Sequence, residues 1–155
     1  MKTYFSLIVV VIMAMPLIGQ AQKTKKDVVK LLDSRTEEYS KIAKQIWEFA
    51  EVGFQETQSS ALLQETLSKN GFTVEKGVAG MPTAFIATYG SGKPVIAILG
   101  EYDALPGVSQ EAVPVKAPIE GQGAGHACGH HLFGTASSAA AIAVKDWMIA
   151  NKKQG

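Results

Sequence analysis

The chain has 155 residues, of which 46% are apolar and 19% charged, and its net charge is +1. That balance fits one ordinary globular domain and speaks against a nucleic-acid partner, because no basic stripe with interleaved aromatics is present. It contains no heptad, internal repeat or acidic tail.

The first segment has the marks of a secretory signal. Lys2 supplies a positive start, Phe5 to Met15 is an uncharged apolar run, and Pro16 breaks it. Gly19-Gln20-Ala21 then places small residues at the two positions a signal peptidase reads. The run is short for a membrane span. Residues 1–21 are therefore expected to be removed, leaving a secreted or periplasmic protein that starts at Gln22 and has no membrane association after cleavage. No cysteine follows the run, which argues against a lipid anchor.

Two helices are predicted next. Asp27 can cap the first, and Leu31, Leu32, Tyr39, Ile42, Ala43, Ile46, Trp47 and Ala50 recur at spacings of three and four, the pattern of a core-facing stripe. The segment "EVGFQET" breaks the pattern at Gly53. A second helix fits roughly Thr57 to Asn70, with Leu62, Leu63 and Leu67 inward and Gly71 as its stop.

Three strands are expected to follow. They are "FTVEKGV" (Phe72 to Val78), "TAFIATY" (Thr83 to Tyr89) and "PVIAIL" (Pro94 to Leu99). "GSGK" between the last two suggests a hairpin. "PVIAIL" reads as a strand covered on both faces, and it leads into "GEYDALPG" (Gly100 to Gly107). Carboxylates at the end of a buried strand stand where α/β proteins build sites, which marks Glu101 and Asp103. A long loop, Val108 to Gly125, and an alanine-rich helix, Leu132 to Ala150, complete the chain. The small residues on that helix's early turns allow close packing on a sheet.

All three histidines and the single cysteine fall within six positions, in "GAGHACGHHLFG" just before the last helix. In an oxidising compartment a structural cysteine has a partner, and Cys128 has none in the chain. It can pair between chains, act as a nucleophile or bind metal, and its histidine neighbours favour metal. Imidazole and thiolate both suit zinc, and the helix N-terminus favours the thiolate. Cys128 and His130, two apart, can face one metal site if the segment is extended or turning. His126 and His131 then point elsewhere, to positions behind the ligands or to a substrate pocket. A closed structural zinc site lacks its further ligands, a Cys–His nucleophile pair is poorly oriented by adjacent loop positions, and a dinucleotide fingerprint fails at His126.

"GEYDALPG" followed by "GHACGHHLFGTASSAAAIA" resembles the co-catalytic metal amidohydrolases, a family that includes aminobenzoyl-glutamate hydrolases, amino-acid-conjugate hydrolases, aminoacylase and carboxypeptidase G. "IWEFAEVGFQETQSSALLQETLSKNGF" is similar to the family's opening segment. The likeness runs from about Lys41 to Ala150, and the aminobenzoyl-glutamate hydrolase branch is the nearest. It implies an α/β catalytic domain with a mixed sheet flanked by helices, of which residues 22–155 form an N-terminal, incomplete portion. It also implies two divalent metal ions, zinc or manganese, with Cys128 and His130 as ligands and Asp103 as a supporting carboxylate. Glu101 stands where more distant relatives keep a ligand histidine and is not read as a ligand. His131 departs from the Asp or Asn usual after the motif's second histidine. The family's general-base glutamate has no counterpart in the chain, so the chain alone is expected to be inactive. The implied partner is a small amide substrate, aminobenzoyl-glutamate or an N-acyl amino acid, acted on by a complete protein that forms a homo-oligomer. The alternative is a small exported metal-binding protein without catalysis.

Overall fold

The computed structural model describes residues 25–155, so the expected signal segment lies outside the described residues. These residues fall in two compact units that divide between Arg35 and Thr36. In the first, residues 25–34 are helical (α1), and the Ser34 hydroxyl bonds back to the Leu31 carbonyl. The single opening helix expected from the apolar stripe is therefore interrupted, by a turn at Arg35. Ser34 and Thr36 are residue types that compete for backbone groups at such breaks.

The second unit begins with α2 (Thr36–Phe49), whose first turn carries Glu37 and Glu38, a favourable charge at a helix N-terminus. Ala50 adopts a left-handed conformation (φ 47°) and ends the helix before Gly53. Helix α3 (Thr57–Lys69) stops at Gly71 as expected. Gly71 has φ 87°, its N–H bonds the Ser68 carbonyl, and Phe72 N–H bonds that of Leu67. This pairing closes helices with a left-handed glycine.

The start of α3 is capped by a carboxylate from outside the helix. Glu51 accepts the backbone N–H groups of Gln58 and Ser59, at 2.9 and 2.8 Å, and both Thr57 and Ser59 hydroxyls. Burial alone would raise its pKa, but the bonds from Gln58 and Ser59 outweigh burial and hold it below the ordinary 4.5. A carboxylate with a depressed folded-state pKa contributes stability above its unfolded value and loses it as pH falls through the folded one. Glu51→Gln should therefore cost about 1 kcal/mol at neutral pH, the usual worth of a helix cap. In thermal melts, the gap between wild type and variant should close below about pH 4.5.

Strands β1 (Thr73–Lys76) and β2 (Phe85–Thr88) pair antiparallel, with Thr73 opposite Thr88 and Lys76 opposite Phe85. The expected hairpin between "TAFIATY" and "PVIAIL" does not form. β2 takes β1 as its partner, and the chain leaves through Gly90 and Gly92, both at positive φ. The following segment runs beside the last helix, where the Ser137 hydroxyl bonds the Leu99 carbonyl at 2.6 Å. Residues 94–99 join no ladder among the described residues, and Val95, Ile96 and Leu99 are 84%, 75% and 72% exposed. The strand expected over Pro94 to Leu99 is thus not formed, and an unpaired, uncharged apolar segment is a template for association. Sedimentation of the purified chain should show species larger than monomer, and Ile96→Lys should shift it toward monomer.

A second ribbon pairs β3 (Leu105–Pro106) with β4 (Ala124–Gly125), closing the loop expected between them. One parallel bridge joins Val52 to Ala104. Helix α4 (His130–Ala150) begins two residues earlier than the sequence suggests, after Gly129 at φ 84°. The α/β class thus holds, with α2, α3 and α4 packed on one another and the sheet present as two short antiparallel ribbons among the described residues. Ile42, Ile46 and Leu63 form the core, with Tyr39, Leu62, Phe85 and Tyr102 against it. Among the described residues no helix is long and apolar enough to cross a membrane.

Candidate metal centre

The segment carrying Asp103 is fastened along its whole length. Tyr102 donates its hydroxyl to the Thr83 carbonyl, and its ring stacks on Phe85. Ala104 N–H reaches the Glu51 carbonyl at 2.7 Å, and Gly107 N–H reaches that of Gly123 at 2.7 Å. Thr83 itself receives Ser60 and gives its hydroxyl to buried Glu56 at 2.6 Å. The "EVGFQET" segment therefore anchors the "GEYDALPG" segment through backbone and buried polar contacts. Helix α4 closes from the other side at Gly134, where an added Cβ would lie 2.8 Å from the Glu101 carbonyl oxygen.

This packing brings His130, the first residue of α4, between two carboxylates. Its Nδ1 lies 2.7 Å from Asp103 Oδ1, and its Nε2 lies 2.9 Å from Glu101 Oε2. One donor atom from each of Glu101, Asp103 and His130 falls within 4.8 Å of the others. Of the residues marked in the sequence, Asp103 and His130 are therefore brought into contact. Cys128 is exposed and stands outside this group of three. The positive φ of Gly129 turns the chain between it and His130.

His126 is only 3% exposed, and its Nε2 donates to the Ile46 carbonyl at 3.0 Å, tying the loop to the end of α2. His131 meets the Trp47 ring edge-on at 4.8 Å and His126 at 5.1 Å. Burial, and then the neighbouring His126, push the His131 pKa down to about 4. Burial likewise lowers that of His126, against a smaller raising effect of its bond to Ile46. The His131 ring is thus neutral at pH 7, and both rings pack against Trp47.

Glu101 is the residue that the sequence reading leaves out of the ligand set. Its signal is present in the chain: Glu101 and Asp103 are two apart on an extended segment, a spacing that directs both carboxylates to one side. Two carboxylate oxygens and an imidazole nitrogen, with a thiol two residues upstream, are a donor set that suits zinc or manganese.

No protein-family model matches the chain. Over 118 residues the chain is 49% identical to a p-aminobenzoyl-glutamate hydrolase subunit of Escherichia coli, a match covering 76% of this chain and 24% of that protein. It is 35% identical over 111 residues to thermostable carboxypeptidase 1 of Saccharolobus solfataricus, covering 70% of this chain and 26% of the relative. It is 34% identical over 106 residues to IAA-amino acid hydrolase ILR1-like 5 of Arabidopsis thaliana, covering 68% and 23% respectively. The chain therefore spans about a quarter of the length of these relatives. The resemblance carried by the two motifs extends over most of the chain, and the relatives' names are those of hydrolases.

Proposed function

We propose that the chain is the N-terminal, metal-holding part of the catalytic domain of an exported, metal-dependent amidohydrolase. Its substrates would be aminobenzoyl-glutamate or N-acyl amino acids. The observation that carries this reading is His130 held between Asp103 and Glu101 at the start of α4, in a chain 49% identical to a p-aminobenzoyl-glutamate hydrolase subunit.

His130 and Cys128 are the proposed ligands, with residues elsewhere in a complete protein supplying the rest. Bound divalent ions would polarise the amide carbonyl and lower the pKa of a water at the site. The chain's own residues prepare that site. Asp103 accepts from His130 Nδ1 and fixes the ring, with Nε2 toward Glu101. The Trp47, His126 and His131 rings pack against one another, and the two histidines flank Cys128 and His130 in the sequence. The homo-oligomeric state of the complete protein belongs to the same proposal, as does export. Protein recovered from the culture medium or periplasm should begin at Gln22 on N-terminal sequencing. Material beginning at Met1 would count against export.

An exchange experiment tests the hydrolase reading. The stretch of the Escherichia coli hydrolase that matches this chain is replaced by the corresponding residues of this chain. Metal-dependent hydrolysis of aminobenzoyl-glutamate that is lost in Cys128→Ser and His130→Ala supports the proposal. A folded chimera that binds zinc or manganese without turnover would instead favour metal binding without catalysis.

A further inference from the structure

We infer that Glu101 is itself a metal ligand, opposite His130, an inference that rests on the metal-site reading above. His130 Nδ1 lies 2.7 Å from Asp103 Oδ1 and its Nε2 lies 2.9 Å from Glu101 Oε2, with one donor atom from each of the three residues within 4.8 Å of the others. Nε2 and Glu101 Oε2 therefore converge on one point, where a single divalent ion could take both.

The spacing is close to what a metal ion requires. Two donors about 2.1 Å from a tetrahedral zinc lie roughly 3.4 Å apart. Glu101 Oε2 would have to withdraw by only about 0.5 Å relative to the separation observed, and its side chain is 48% exposed and free to do so. The backbones are not free. Gly134 leaves no room between α4 and the Glu101 carbonyl, and a Cβ at Gly100 would lie 3.1 Å from Ser137 Cβ. The fold thus fixes the two chain segments and leaves adjustment to the carboxylate end alone. A carboxylate oxygen here makes the site harder than an imidazole would, which favours manganese relative to softer ions.

The test is titration of the purified chain with Co2+, followed by its visible absorption, with circular dichroism as the check on folding. Wild type should bind, and His130→Ala should abolish binding. Glu101→Gln should weaken it at least tenfold, about the lower end of what even an outer partner of a metal ligand contributes. If Glu101 is only an ion-pair partner of His130, removing it frees Nε2, and Co2+ affinity stays the same or rises. That result overturns the inference and leaves the metal-site reading standing. Absence of Co2+ binding by wild type overturns both. Should Glu101→Gln fail to fold, Glu101→His decides. Retained binding with a spectrum shifted toward nitrogen ligation supports the inference, and an unshifted spectrum refutes it.

Discussion

Replacing Gly125 with alanine is expected to destabilise the chain by about 3 kcal/mol, the upper part of the range for forcing one extra carbon into packed structure. A Cβ at Gly125 would lie 2.1 Å from the Val108 carbonyl oxygen, 2.9 Å from its carbon and 3.1 Å from Ser109 Cα. All three are backbone atoms, so no side chain can swing aside. The two sides are also tied together. Gly107 N–H bonds the Gly123 carbonyl at 2.7 Å, and the Ser109 hydroxyl bridges to Ile119 at 3.1 and 3.2 Å. The β3–β4 ribbon must therefore open for the methyl to fit. β3 begins two residues after Asp103, and β4 ends immediately before His126. Metal affinity should accordingly fall together with stability. Gly121→Ala is the matched control: Gly121 has φ 78° but nothing within 4 Å of its Cβ position. That variant should cost only the left-handed penalty, about 1–2 kcal/mol. Urea midpoints of the two variants measure the difference. Equal midpoints would mean that the ribbon yields freely and does not hold the site.

The helices are legible in the sequence because their evidence is local. The apolar spacing of Ile42, Ala43 and Ile46 marks α2, and Leu63, Leu67 and Gly71 mark α3 and its end. The break at Arg35 and the start of α4 at His130 are not, since polar and glycine-rich stretches hide where the first hydrogen-bonded turn forms. Strand content is readable for β1 and β2, but their partnership is not. "GSGK" resembles a hairpin turn, whereas pairing depends on nonlocal packing, and here β2 pairs with β1 while Phe85 stacks on Tyr102. Asp103 and His130 stand out because their residue types advertise chemistry. Glu51 and Glu56 do not, because a carboxylate that caps a helix six to eight residues on, or that holds Thr83 from 27 away, has no linear signature. Glu101 is masked by what stands at its position in distant relatives. Only the folded geometry shows its carboxylate on His130.

The purified chain is expected to hydrolyse neither aminobenzoyl-glutamate nor simple N-acyl amino acids above the rate of metal-containing buffer. Metal-assisted amide hydrolysis needs a base that takes the proton from the attacking water and delivers it to the leaving amine. The carboxylates nearest His130 are Glu101 and Asp103, and both already face its ring nitrogens at 2.9 and 2.7 Å. Glu111 and Glu120 are exposed in the loop before β4, outside the donor group. Among the described residues no carboxylate is therefore left at the site to serve as base. Loss of a general base alone costs about a hundred- to ten-thousand-fold. The three donor atoms present are also fewer than two metal ions require, so the metal contribution falls as well. Metal binding should persist without turnover, weakened in Cys128→Ser and lost in His130→Ala. The assay uses zinc and manganese in turn, with product release followed by chromatography. Turnover that depends on metal and disappears in both variants would show that a carboxylate placed here as a His130 partner can leave that ring and act as the base. Glu101, with its half-exposed side chain, would then be the one to replace next.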